Sequence, residues 1–183
     1  MNPDISPPLT VEFLRECFEA DFDAGLLTWR ERPIHHFSSL RAQRIFNAKF
    51  AGEKAGGAHG AGYAAVNVMF RGKRRLLLSH RILWCMRQGA WPDSTIDHRD
   101  CIRSENKLSN LRPASYSDQN ANRRAIRAGL KGACFDRRTR RFVAQITRDG
   151  KNHFLGRFDT EEEAHKAYVS AAKDLHGEFA RWN

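Results

Sequence analysis

Residues 96–122 read IDHRDCIRSENKLSNLRPASYSDQNAN, and the rest of the chain is best read outward from them. Thr95-Ile96-Asp97-His98 has the pattern of a short strand, 99–109 is a polar loop, and Asn110-Leu111-Arg112 opens a second strand. A helix is expected from about Ser117 to Arg127, carrying the amides Gln119, Asn120 and Asn122. The predicted order is strand, long loop, strand, helix. A carboxylate beside an imidazole at a strand end can hold a divalent cation next to a general base, and a later helix can bring an amide oxygen to the same cation. An Asp-His pair alone carries little, because so short a motif recurs by chance. Its spacing to Asn110-Leu111 and to the amide cluster is what points to metal-assisted phosphodiester chemistry.

Upstream of this stretch, Val66, Val68 and Phe70 alternate as in a strand, Arg71-Gly72-Lys73 makes a turn, and RRLLLS returns as a hairpin. Ser79 is placed to cap a helix, HRILWCMRQG, that stops at Gly89, with Ile82, Leu83 and Met86 on its buried side. Nearer the N-terminus, Thr10 caps TVEFLRECFEAD, whose Phe13, Leu14, Cys17 and Phe18 share one side; Asp23-Ala24-Gly25 then turns into LLTWR. Residues 31–60 contain Pro33, the pair His35-His36 and a glycine-rich run from Gly52 to Gly60, and are expected to be mostly loop. Paired histidines of this kind usually have no catalytic part. Residues 1–60 are read as a helix, strand and loop region that packs on or orients residues 61–123.

At 183 residues the chain holds one ordinary domain or two small ones. No apolar run approaches the roughly 18 residues needed to span a bilayer, and MNPDISPPLT lacks a basic stretch followed by an apolar block, so a cytoplasmic location in a bacterial or phage-infected cell is expected. Cys17, Cys85, Cys101 and Cys134 are far apart and form no Cys-x-x-Cys pair, which argues against a zinc knuckle or a disulfide framework. The net charge of +10 is unevenly distributed: residues 1–60 carry seven basic and eight acidic side chains, 61–131 fourteen and five, 132–183 ten and eight. The excess surrounds the Asp-His segment. Clustered Lys and Arg imply a polyanionic partner, since phosphate neutralisation releases counterions.

Residues 124–131 have no apolar stripe and read as a basic linker. Beyond them ACFDRR, RRFVAQITRD and KNHFLGRF are three strand-like runs, the last two joined by Asp149-Gly150, a strong hairpin signal. Thr160-Glu161-Glu162-Glu163 is a capping box for a helix with Ala164, Ala167, Tyr168, Ala171, Ala172 and Leu175 on one face. Residues 132–157 hold seven basic against two acidic side chains, whereas 158–183 hold three against six. The basic residues therefore belong to the sheet, which is expected to face phosphate. The overall class is α+β.

Residues 62–122 resemble the HNH homing endonucleases of phages and mobile introns. The matching order is Gly62-Tyr63, an alternating strand, a glycine turn, a returning strand, the run His80-Arg81-Ile82-Leu83, then Asp97-His98, Asn110-Leu111 and the terminal amides. The resemblance implies a ββα-metal (His-Me finger) module over 61–123, with Asp97 binding one Mg²⁺ or Mn²⁺ and His98 taking a proton from water. It also implies that Asn110 ties the loop together and orients His98, while His80 is a structural or phosphate contact. The family's metal-binding asparagine falls nine residues after Asn110, at Gln119, with Asn120 one step later; either amide is a candidate ligand. A glycine and an asparagine common in the family's loop are replaced here by Cys101 and Ile102.

Residues 131–183 resemble the APETALA-type DNA-binding domain of plant ethylene-response factors. The residues that carry the likeness include Lys131-Gly132, Phe142-Val143-Ala144-Gln145-Ile146, Leu155-Gly156-Arg157-Phe158, Ala167-Tyr168, Ala171-Ala172 and Asn183. Such domains lay a three-stranded sheet in the major groove, so the resemblance implies double-stranded DNA as partner for 132–183. Phe154 stands where the third-strand tryptophan is found. Arg123, Arg124, Arg137, Arg138, Arg140, Arg141, Arg148, Lys151, Phe154 and Arg157 are the candidate DNA contacts. Two function classes are open: a metal-dependent DNA endonuclease, nicking or double-strand cleaving, and a DNA-binding regulator with a decayed nuclease site. Metal-dependent cleavage discriminates them.

Overall fold

The computed structural model describes residues 9–122 and 129–181, which form two compact units divided between Pro113 and Ala114. The fold mixes short helices with small sheets, as the α+β class requires. Among the described residues no helix is long and apolar enough to cross a membrane.

The first unit starts with α1 (Val11–Cys17), where Thr10 Oγ1 accepts the Phe13 N–H at 3.2 Å. The expected helix is longer than the observed one: Phe18–Asp21 leaves it as β1 and pairs antiparallel with β2 (Leu26–Trp29), setting Phe18 opposite Trp29. Sheet pairing and burial of those two rings outweigh helical continuation. The expectation of a loop over 31–60 is also corrected, because α2 (Leu40–Phe50) lies within it. Ser39 caps this helix by accepting the Ala42 N–H, and Phe46 and Phe50 pack on the core. Six of its eleven residues are apolar, but Leu40 and Ile45 lie exposed among Arg41, Arg44 and Lys49, so no single apolar stripe marks the helix in the sequence.

β3 (Gly57–His59), β4 (Tyr63–Phe70) and β5 (Lys73–Leu78) form an antiparallel sheet with β4 in the middle. Arg71 (φ +48°) and Gly72 (φ +73°) make the β4–β5 turn, both left-handed, as a two-residue hairpin loop demands. α3 (Ser79–Gln88) comes directly after; Ser79 is its first residue rather than its cap, and Gly89 ends it at φ +77°. Ile82, Leu83 and Cys85 of α3 join Val66 and Val68 of β4 and Leu14, Cys17, Phe18, Leu27 and Trp29 in one core. Residues 9–29 therefore supply half the interior against which the helix after the hairpin packs. β6 (Thr95–His98) and β7 (Leu111–Ala114) pair as a two-stranded sheet.

In the second unit α4 (Tyr116–Ala121) lies where a helix is expected from Ser117; the expected continuation to Arg127 and most of the expected basic linker, residues 123–128, lie outside the described residues. Ser115 and Asp118 cap it reciprocally: Ser115 Oγ accepts the Asp118 N–H, and Asp118 Oδ2 accepts the Ser115 N–H. β8 (Ala133–Asp136), β9 (Arg141–Arg148) and β10 (Lys151–Phe158) form an antiparallel sheet with β9 central. α5 (Glu161–His176) starts at the Thr160–Glu163 capping box and packs Tyr168 and Ala172 on Ile146. Gly132, at φ +82°, lies so close to Tyr168 that an added Cβ would come within 2.0 Å of its ring.

Candidate active site

β6 ends at the motif. Burial alternates along it, with Ile96 and His98 inside and Asp97 half-buried, as successive strand residues face opposite ways. The two motif residues are consequently held by different partners. Asp97 Oδ2 accepts from Arg112 Nε at 3.1 Å and from Arg112 Nη2 at 3.0 Å, an ion pair between neighbouring strands. The side chains are 13% and 4% exposed, so this pair is strongly desolvated, and both guanidinium contacts converge on Oδ2.

His98 is buried, and its Nε2 lies 3.2 Å from Asn106 Oδ1. With the amide oxygen toward the ring, Nε2 carries the proton and Nδ1 bears the basic lone pair. Asn106, itself buried, is a site residue that sequence reasoning missed: it is one polar residue among several in a loop, and only the folded loop brings it back to His98. Two features place it there. An added Cβ at Gly25 (φ +69°), in the β1–β2 turn, would meet Asn106 C and Lys107 N at 2.4 Å, and Leu108 N–H donates to Phe22 O at 2.9 Å. The N-terminal hairpin thus presses directly on the segment that holds the histidine.

Asn110 sits at the base of the same loop. Its Nδ2 donates to Asp100 Oδ1 (3.0 Å) and to Glu105 O (2.7 Å), and its Oδ1 accepts the Asp100 N–H (3.1 Å). Its backbone O also accepts the Arg99 N–H at 2.8 Å, next to His98. Between these anchors Cys101 turns the chain at φ +63°, a left-handed conformation that glycine adopts most easily, while its N–H donates to His98 O.

His80, from the first turn of α3, packs its ring edge-on to His98 with centroids 4.9 Å apart, and Tyr63 lies 5.4 Å from His80 and 6.0 Å from His98. The Arg103 guanidinium covers Tyr63 at 5.0 Å. His80 Nδ1 is buried without a hydrogen-bond partner. Burial first, then the neighbouring His98 and Arg81, push its pKa down to about 3, so it is a neutral ring beside the histidine of the motif.

Gln119 and Asn120 lie on α4 in the second unit. Asn120 lines a cavity of about 640 Å³ inside that unit, shared with Lys131, Gln145 and Tyr168, and Gln119 is not among the described residues of its wall. Of the expected DNA contacts, Arg123 and Arg124 lie outside the described residues. On the sheet, Gln145 and Thr147 face outward opposite Phe154 and Asn152, and Phe154 is 58% exposed with the Arg157 guanidinium 5.2 Å above its ring. Arg141 pairs with exposed Asp159 at 2.7 Å. Arg148 is engaged within the protein, with Asp118 Oδ1 at 2.8 Å.

Among the described residues one other cluster has the composition of a metal site: Glu16, His35 and His36, whose ligand atoms lie within 4.8 Å of one another. Its hydrogen bonds argue against that role. Arg32 Nε, a permanent donor, points at His36 Nδ1 from 3.1 Å, which puts the imidazole proton on Nε2, facing Glu16 Oε2 at 2.7 Å. His36 therefore offers a proton to Glu16 where a metal ligand would offer a lone pair. Burial, with Arg32 second, holds its pKa below the ordinary value.

Comparison with known proteins bears on the first of these clusters. No curated protein matches the chain. Among solved structures it is similar to that of the HNH homing endonuclease I-HmuI, described for its DNA binding and cleavage, with 14% identity, a TM-score of 0.39, and 87% of this chain and 84% of that one covered. The family model for HNH endonucleases matches residues 78–121. The stretch that holds His80, Asp97, His98, Asn110 and the α4 amides is therefore similar in sequence to HNH endonucleases.

Proposed function

We propose that this protein is a metal-dependent DNA endonuclease of the HNH homing type, with a ββα-metal module over 61–123, His98 as general base and one divalent cation. The observation that carries the reading is the constellation at the end of β6: a carboxylate clamped by Arg112, and beside it an imidazole clamped by Asn106. Asp97 and one amide of α4 would hold the cation. One carboxylate and one amide are a hard, oxygen-only donor set that leaves room for phosphate and water, which fits Mg²⁺ or Mn²⁺. Gln119 is favoured as the amide by its spacing from Asn110 and by the turn of Asn120 toward the cavity of the second unit. When bound, the cation would neutralise charge on the phosphodiester and its leaving 3′-oxygen.

His98 supplies the other half. Water attacks phosphorus, the bond to the 3′-oxygen breaks, and the proton lost by the water goes to His98 Nδ1. Asn106 favours that nitrogen as the base by keeping the first proton on Nε2. Because Asp97 and His98 belong to opposite sides of β6, a phosphodiester served by both has to cross the end of the strand.

Residues 132–183 are proposed as an APETALA-type module that extends the contact with double-stranded DNA. The outward Phe154, Arg157 and Lys151, with Arg137, Arg138 and Arg140 near the β8–β9 turn, suit phosphate and base contacts. Incubating supercoiled DNA with the protein and Mg²⁺ or Mn²⁺ tests the whole reading. Expected are nicked or linear products that disappear with chelator and in His98→Ala. Equal cleavage by His98→Ala, or none by the wild type on any DNA, would refute it; salt-sensitive binding alone would leave a regulator.

A further inference from the structure

Arg148, by sequence one of seven basic residues in a stretch expected to face DNA, is turned the other way. Its Nη1 donates to Asp118 Oδ1 at 2.8 Å, its Nε lies 3.3 Å from Asp149 Oδ2, and His176 Nδ1 lies 3.4 Å from Nη1. Asp118 immediately precedes Gln119. Its carboxylate has two duties, Oδ2 closing the cap of α4 with Ser115 and Oδ1 receiving Arg148. The Asp149-Gly150 turn (φ +51° and +76°) adds a second link, with the Asp149 N–H donating to Ser117 Oγ at 3.0 Å. A third comes from Lys131, whose Nζ donates to Ala121 O and to Arg181 O, both at 2.7 Å.

α4 is a single six-residue helix, and helices that short have no stability of their own in water. Both of its ends and its capping carboxylate are held by the sheet module. We propose that Arg148 is a positioning residue: within the second unit, the sheet module holds the helix that carries the nuclease's amide ligand. This rests on the nuclease reading above, in which a Gln119 or Asn120 amide meets the cation.

The test compares wild type, Arg148→Ala and Arg148→Lys as full chains in three measurements. These are duplex binding across a salt series without metal, single-turnover cleavage across a Mn²⁺ series, and amide hydrogen exchange of residues 116–122. A positioning role predicts that Arg148→Ala leaves the salt slope unchanged and raises the Mn²⁺ concentration for half-maximal cleavage by about 10–100-fold, the range for groups that orient metal ligands. It also predicts faster exchange in α4, with Arg148→Lys restoring part of both effects through its remaining charge. A DNA-contact role predicts the reverse, a slope lower by about 0.9 with Mn²⁺ dependence and α4 exchange unchanged, and would overturn the proposal. Absence of metal-dependent cleavage by the wild type would sink the nuclease reading and this proposal together. Wild-type cleavage with a variant unaltered in Mn²⁺ dependence would sink this proposal alone.

Discussion

His98 is flanked by two buried side chains with different work to do. Asn106 meets the ring at Nε2, where its amide oxygen favours the protonated nitrogen; His80 packs edge-on against the ring. Because the His80 pKa falls from 6.5 to about 3 in the fold, the unfolded chain binds its proton more readily. Stability linked to His80 is therefore complete above about pH 6.5 and drains away as pH falls toward 3, an effect on the order of a few kcal/mol. Urea midpoints from pH 7 to 4 should fall steeply for the wild type and less for His80→Phe, which keeps a ring and loses the proton. Parallel slopes would contradict the assignment. None of this was visible in the residues alone: His80 stood in the motif only as a structural or phosphate contact, and its orphaned Nδ1 arises from burial beneath Tyr63 and His98.

Elements with local, self-contained signals were legible in the sequence. Asp149-Gly150 and Arg71-Gly72 are turns in which consecutive residues take positive φ, and Thr160 to Glu163 closes its own helix cap. α2 was missed because its evidence is tertiary: Phe46 meets the Trp29 and Phe37 rings at 5.2 and 5.4 Å, and its cap sits among residues that also suit loops. β1 was missed for the same reason, since its partner strand decides it. The Lys131-Gly132 pair illustrates the opposite case, a short motif with a definite steric cause. Gly132→Ala would drive a methyl group into the Tyr168 ring at a left-handed position. A loss of about 3 kcal/mol from the second unit is expected, read as a lower melting transition. An unchanged melting curve would mean that α5 can move away from the sheet at little cost.

At the scale of the whole molecule the N-terminal sixty residues stop being an appendage. Phe13, Leu14, Cys17, Phe18, Leu27 and Trp29 share one interior with Val66, Val68, Ile82 and Leu83. A fragment spanning 61–183 should accordingly lose the cooperative transition of the first unit, by circular dichroism on heating, while the full chain keeps it. Retention of that transition would show that the hairpin and α3 suffice. The near-zero charge of residues 1–60, which gave no reason to expect a direct part in catalysis, says nothing about this mechanical role. Gly25 makes it concrete. A side chain as small as a methyl group there would strike the backbone beside Asn106, so the earliest hairpin of the chain acts as an anvil under the residue that sets the proton on the imidazole. Grafting the motif onto another scaffold would carry over the reactive groups and leave behind the surface they are seated on.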